Sequence, residues 1–271
     1  MNKIISKIKS FLYKKVNDSR LTEPRIFMKI HRKDFVNTLR VDMVDILAAQ
    51  KVNEETFKKY KNCNEGKNIA IIATGPSLNQ YKPLKDVLNL GVNKSIFRED
   101  IDFDYVFMQD YIAVKDYINN LEEERFKNTK KFFGIIQDYT YNGDATIPES
   151  ISVKLKAERY CIFNQWSCFN EIFPRDIAYA PLATANSVGG SAIQFALYTN
   201  PQKIYLVGMD CSCGHFDSKK KNDIDLSYTI NTWKKIKRFA EIYYPDTEII
   251  SVNPVGLKGI FTDLCQEERK Q

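Results

Sequence analysis

The sequence predicts an α/β domain on a mostly parallel sheet with helices on both faces, preceded by a helical N-terminal extension. Three observations carry this expectation. Short, continuous apolar runs recur from residue 68 onward, NIAIIA at 68–73 and KIYLVGMD at 203–210 being the clearest. Such runs, unlike alternating ones, suit strands buried on both faces. Helical patterns at 187–198 and 228–244 alternate with them, and polar, Gly-containing turns stand at the strand ends.

Taken in order, residues 1–16 place Ile4, Ile5, Ile8, Phe11, Leu12 and Val16 at helical spacing, and the same stretch carries five lysines (3, 7, 9, 14 and 15). A basic amphipathic helix of this kind suits an anionic leaflet, or docking on the domain or a second subunit. Residues 20–65 are polar and helical in pattern, and Gly66 punctuates the chain. This divides it into an extension at 1–60 and a catalytic domain at 61–271. The first strand, 68–73, runs into TGPSL and a helical stretch. Further strands are expected at 90–97, 103–109, 131–137, 203–210 and 247–252, with helices over 187–198 and 228–244. Strands alternating with helices imply right-handed crossovers and a Rossmann-like sheet.

Composition narrows the function classes. The chain carries 40 Lys+Arg against 34 Asp+Glu, a net charge of +6. This modest excess favours anionic partners and is too dispersed to argue for nucleic acid. Six cysteines without a CxxC pair, in a chain of 271 residues, read as reduced thiols in a cytosol. No run of 18 apolar residues occurs, and Lys3, Lys7 and Lys9 break up the N-terminus as a signal peptide. The expected location is therefore cytoplasmic, with peripheral contact at the inner membrane through the N-terminal stripe.

Open parallel sheets bind ligands beyond the carboxyl ends of their strands, where the strand order reverses. Three polar clusters fall at such ends: Thr74-Gly75-Pro76-Ser77, Asn186-Ser187-Val188-Gly189-Gly190, and Gly208 with Asp210. Gly75 leaves room for backbone to approach a ligand, Pro76 suits a first helical turn, and Ser77 either donates to a phosphate or caps the helix. The helix opening at Ser187 offers free N–H groups and a dipole to an anion. Neither GxxxxGK[ST] nor GxGxxG is present, which disfavours an ordinary ATPase or dehydrogenase. Of the two histidines, His31 reads as a surface residue. His215 follows Asp210 by five residues in CSCGHFDSKKKND, either a cleft loop able to bring an imidazole to a hydroxyl or a solvated loop. Cys211, Cys213 and His215 match no standard zinc spacing, so no metal site is expected.

The pairing of NIAIIATGPSL with SVGGSAIQFALYTNPQKIYLVGMDCS resembles a Rossmann-like superfamily of transferases. It comprises the family 42 bacterial sialyltransferases, the motility-accessory flagellin glycosyltransferases and the 6-hydroxymethylpterin pyrophosphokinase-like proteins. The resemblance covers roughly 60–260 and implies a nucleotide-binding role for Thr74, Gly75, Pro76 and Ser77. It further implies contacts to nucleotide or donor sugar from Asn93, Lys94, Gln109 or Asp110, Asn186, Ser187 and Gly189, with Gly208 and Asp210 at the GxD strand end. The family's lid histidine lies farther from that strand than His215 does. The pyrophosphokinase-like branch carries a histidine just after the Asp. Thr74 also stands where the family usually carries Asn.

The resemblance thus implies an inverting, metal-independent glycosyltransferase that uses a CMP-activated acidic sugar and needs no cofactor. His215 and Asp210 would be its catalytic residues. Its acceptor would be a glycan or lipid-linked glycan in surface polysaccharide synthesis, and relatives often form homo-oligomers. The alternative is an ATP-dependent diphosphokinase acting on a pterin, with Mg²⁺ held by Asp110 and Asp210.

Overall fold

The computed structural model describes residues 50–136, 146–163, 171–185, 187–217 and 227–266. The N-terminal amphipathic stripe, His31, Asn186 and the lysine run 219–221 lie outside the described residues. The compact unit that holds the sheet spans Asp45–Gln271.

Eight parallel strands form one sheet: β1 Asn68–Ile72, β2 Val87–Val92, β3 Tyr105–Met108, β4 Lys130–Ile136, β5 Glu158–Ile162, β6 Lys203–Val207, β7 Glu248–Val252 and β8 Thr262–Leu264. Their spatial order is β5-β4-β3-β2-β1-β6-β7-β8. The chain steps outward from β1 through β5, then crosses back to lay β6 on the other side of β1. Connections therefore leave the ends of β1 and β6 in opposite directions, and a crevice opens between them.

Alternation along the strands divides the apolar side chains between two cores. Ile69, Ile71, Phe107, Phe132 and Leu206 face one, while Ala70, Ile72, Met108, Phe133 and Val207 face the other. The first core is roofed by α3 (Val188–Tyr198) and α4 (Thr229–Tyr243), with the helical stretch 50–57 bringing in Phe57. Helix α3 buries every residue but Val188, and its buried polar side chains Ser191 and Gln194 are hydrogen-bonded. Phe57, Phe132 and Phe195 pack ring to ring within 6 Å between centroids. The second core is covered by single turns: α1 (Tyr111–Val114), α2 (Glu149–Lys154) and the 3-10 segments Pro76–Gln80, Asn93–Phe97, Ile118–Glu122 and Glu124–Phe126.

The elements differ from the sequence expectation in specific places. The helix expected after TGPSL is only the 3-10 turn Pro76–Gln80, because the chain turns extended at Tyr81 ahead of Pro83. The strand expected at 90–97 ends at Val92, where Asn93 takes a left-handed φ of +50°. Strand β6 stops at Val207 for the same reason, Gly208 having φ +65°. β5, which opens on Glu158-Arg159, and the three-residue edge strand β8 were not anticipated. Residues 50–60, grouped by the sequence with the extension, pack within the sheet's own core. The Asn53 amide donates to Ala180 O at 2.8 Å and its oxygen accepts from Cys161 N at 2.7 Å.

Candidate functional site

The site is built where β1 and β6 end. The ladder between them continues past the strands: Ala73 N–H donates to Val207 O and Gly75 N–H donates to Gly208 O, each at 2.8 Å. This backbone approach requires glycine at two places. A Cβ on Gly75 would stand 2.6 Å from Gly208 O and from Asp210 Cγ. A Cβ on Gly208 would stand 2.8 Å from Ala73 O, on a left-handed φ that disfavours any side chain. The two turns are then locked by a side chain. Asp210, 4% exposed, accepts the Ser77 backbone N–H at 2.8 Å and the Ser77 hydroxyl in a second, short bond.

The N-terminus of α3 meets these turns. Ser187 is extended and caps the helix, its hydroxyl oxygen accepting from Gly189 N at 3.1 Å. The first turn lies close against Met209, whose Cε would be 2.9 Å from a Cβ at Gly189. The segment after β6 folds back over the β1 turn. Phe216 N–H donates to Thr74 O at 2.8 Å, His215 Nδ1 lies 3.0 Å from Thr74 Oγ1, and the Asn79 amide donates to Phe216 O at 2.9 Å. Between these parts is an open cleft with about 120 Å³ of room.

Of the residues nominated from the sequence, Thr74, Gly75, Asn93, Ser187, Gly189, Gly208, Asp210 and His215 line this one cleft. The others are placed differently. Ser77 is buried and bonded to Asp210, and neither Ser77 nor Pro76 borders the cleft. With both its oxygens holding Ser77, Asp210 acts as a strut between the turns rather than as a free acid or base. Lys94 pairs with Asp217 at 3.2 Å. Gln109 is buried beneath α3 and donates to the Ser191 hydroxyl. Asp110 caps α1 by accepting from Ile112 N at 2.9 Å. Asn186 lies outside the described residues.

The sequence reading missed Met209, Thr229 and Trp233, which also wall the cleft. Trp233, at 3% exposure, belongs to the core on its other side. A signal for Thr229 did exist. A helix crossing between two parallel strands begins at the carboxyl edge of the sheet, so the first turn of α4 had to face the crevice. Cys211, beside Asp210 at φ +47°, has its thiol pushed up by burial and is no activated nucleophile.

The cleft offers ligands donors rather than charge. The α3 N-terminus supplies a dipole and the Ser187 hydroxyl retains its proton to donate. Asn93 adds an acceptor, a buried side-chain oxygen without a hydrogen-bond partner among the described residues. Among the described residues no group of three or more His, Cys, Asp or Glu side chains is placed to hold a metal ion, Cys211, Cys213 and His215 included. No helix among them is long and apolar enough to cross a membrane.

No family model and no curated protein matches the chain. Solved structures with a partial likeness include the MAf glycosyltransferase from Magnetospirillum magneticum AMB-1, at 13% identity and a TM-score of 0.46. That match covers 82% of this chain, which spans only 38% of the length of the other. A second is the sialyltransferase CST-II in complex with CMP, at 17% identity and a TM-score of 0.38, covering 68% of this chain and 80% of that one. Both are glycosyltransferases of the kinds the sequence motifs resemble, and neither similarity is high enough to carry an activity or a residue role.

Proposed function

We propose that the chain is a glycosyltransferase that holds the nucleotide phosphate of an activated sugar at the β1–β6 switch point, with His215 as general base. The donor best suited to the motifs is a CMP-activated acidic sugar, and the acceptor a glycan or lipid-linked glycan of the cell surface. One observation supports this above the rest: the β1 turn, the β6 turn and the α3 N-terminus share a single cleft that also contains an imidazole. Its donors are fixed before ligand arrives, which is how charge building on a departing phosphate is best stabilised.

In this reading the Ser187 hydroxyl donates to the leaving CMP phosphate, which the dipole at the α3 N-terminus favours. His215 takes the proton from the acceptor hydroxyl, whose oxygen attacks the anomeric carbon from the face opposite the phosphate. The configuration at that carbon inverts. Asp210 contributes by fixing the geometry of the β1 turn through Ser77.

The diphosphokinase alternative needs Asp110 and Asp210 on one Mg²⁺. They stand at the ends of β3 and β6, three positions apart in the sheet order, about 14 Å at the usual strand spacing. Asp210 is also fully engaged with Ser77. That separation speaks against the two carboxylates as a joint donor set for one ion.

Thermal-shift measurements with CMP, CDP, UDP, GDP and ATP, with and without Mg²⁺, test the proposal. Stabilisation by CMP that survives EDTA is expected, since a ligand that binds only the native state raises its melting temperature. Stabilisation by ATP that requires Mg²⁺, with none by CMP, would overturn it.

A further inference from the structure

Thr74 grips the segment after β6 at two points, and one of them bears on proton transfer. Its carbonyl accepts from Phe216 N, while its hydroxyl lies 3.0 Å from His215 Nδ1. Among the described residues the other ring nitrogen, Nε2, has no hydrogen-bond partner. Thr74 also borders the cleft, one residue before Gly75.

The two neutral tautomers of an imidazole use such a bond in opposite senses. If the Thr74 O–H donates to Nδ1, the ring proton sits on Nε2, which cannot then accept one. If Nδ1–H donates to Thr74 Oγ1, Nε2 keeps its lone pair and can act as a base. A threonine hydroxyl has one proton and two lone pairs, so the destination of that proton decides between the two. A phosphate oxygen beside the β1 turn accepts hydrogen bonds and donates none.

We propose that Thr74 is a positioning residue that makes the tautomer of His215 depend on donor occupancy, an inference that rests on the reading of this cleft as a phosphate site. In the empty protein the Thr74 O–H donates to Nδ1 and His215 is protonated at Nε2. A bound nucleotide phosphate takes the Thr74 O–H, Oγ1 turns to accept from Nδ1–H, and Nε2 is freed to accept the acceptor's proton. The change conserves charge: Nε2 releases a proton to water, Nδ1 gains one from water, and no covalent bond to the ligand forms or breaks. The general base is thus armed only once the donor is seated.

The test is long-range ¹H–¹⁵N NMR on the full chain uniformly labelled with ¹⁵N, at mildly alkaline pH, during titration with CMP. The two histidines, His31 and His215, are told apart by the spectrum of His215→Ala. CMP is expected to exchange the protonated and unprotonated nitrogen signals of His215 in the wild type and in Thr74→Ser, but not in Thr74→Val. The backbone amides of Gly75, Ser77 and Gly189 report binding independently. Amide shifts that saturate while the wild-type His215 signals stay in place would overturn this inference and leave the cleft reading standing. Exchange of the signals in Thr74→Val would overturn it as well. A titration in which those amides do not move would overturn both. The wild-type and Thr74→Ser spectra decide the matter even if Thr74→Val fails to fold.

Discussion

Asp210 holds Ser77 through both of its carboxylate oxygens, one on the backbone N–H at 2.8 Å and the other on the hydroxyl. The pair joins the turn after β1 to the turn after β6 across the switch point. Replacing Asp210 with Ala leaves two buried donors without an acceptor, at a cost of about 1–3 kcal/mol for each. Urea unfolding should show Asp210→Ala as strongly destabilised and Ser77→Ala as less so, because the latter keeps the backbone bond. An Asp210→Ala protein that lost turnover at unchanged stability would instead mark the carboxylate as a reacting group.

The close approach at Gly208 can be separated from its backbone conformation. Gly208 and Gly259 both have left-handed φ, +65° and +73°, but only at Gly208 would a Cβ meet backbone, 2.8 Å from Ala73 O; nothing lies within 4 Å of one at Gly259. Gly208→Ala is expected to cost more than about 1 kcal/mol, the usual scale for a misplaced alanine. Gly259→Ala should cost distinctly less, and the difference between their denaturation midpoints measures the contact.

His215→Ala should lower the rate of sugar transfer by about 10²–10⁴-fold, the usual contribution of a positioned general base. CMP affinity by calorimetry should change only a few-fold, because the phosphate is held by the turns and α3. A loss of transfer of only a few-fold would make His215 a loop residue.

Acid stability has a traceable contributor at Glu171. Burial works to raise its carboxyl, but hydrogen bonds from Lys235 and Thr232 and the Lys235 charge outweigh this and hold it below its ordinary value of 4.5. A carboxyl lowered on folding stabilises the native state above its unfolded value, and that stabilisation is lost as pH falls below about 4.5 and through the lowered value. Glu171→Gln should therefore be less stable than wild type near neutrality and show a smaller further loss between pH 5 and about 3, followed by circular dichroism.

Most of the sheet was legible because buried parallel strands announce themselves as continuous apolar runs, as at 68–72 and 203–207. β5 was not, since it begins Glu158-Arg159 and gains its place through Phe132↔Glu158 and the pairs that follow. The three strand-end clusters were legible from chain logic, because together they fall at the carboxyl edge where open parallel sheets bind ligands. What the sequence could not reveal was who bonds to whom. Asp210 and Ser77 are 133 residues apart, and nothing local marks them as partners rather than two separate ligands of a phosphate. Gln109 and Asp110 end β3 as expected, yet one is covered by α3 and the other caps α1. A strand end two places from the switch point lies too far aside to join the cleft.

The central claim, that three separate turns make one phosphate-binding cleft, is tested most directly by a crystal structure of the protein with CMP. The phosphate should lie within hydrogen-bonding distance of the Gly75 turn and the first turn of α3, with His215 beside it. A nucleotide seated elsewhere on the protein, or a cleft that stays empty at saturating CMP, would contradict it.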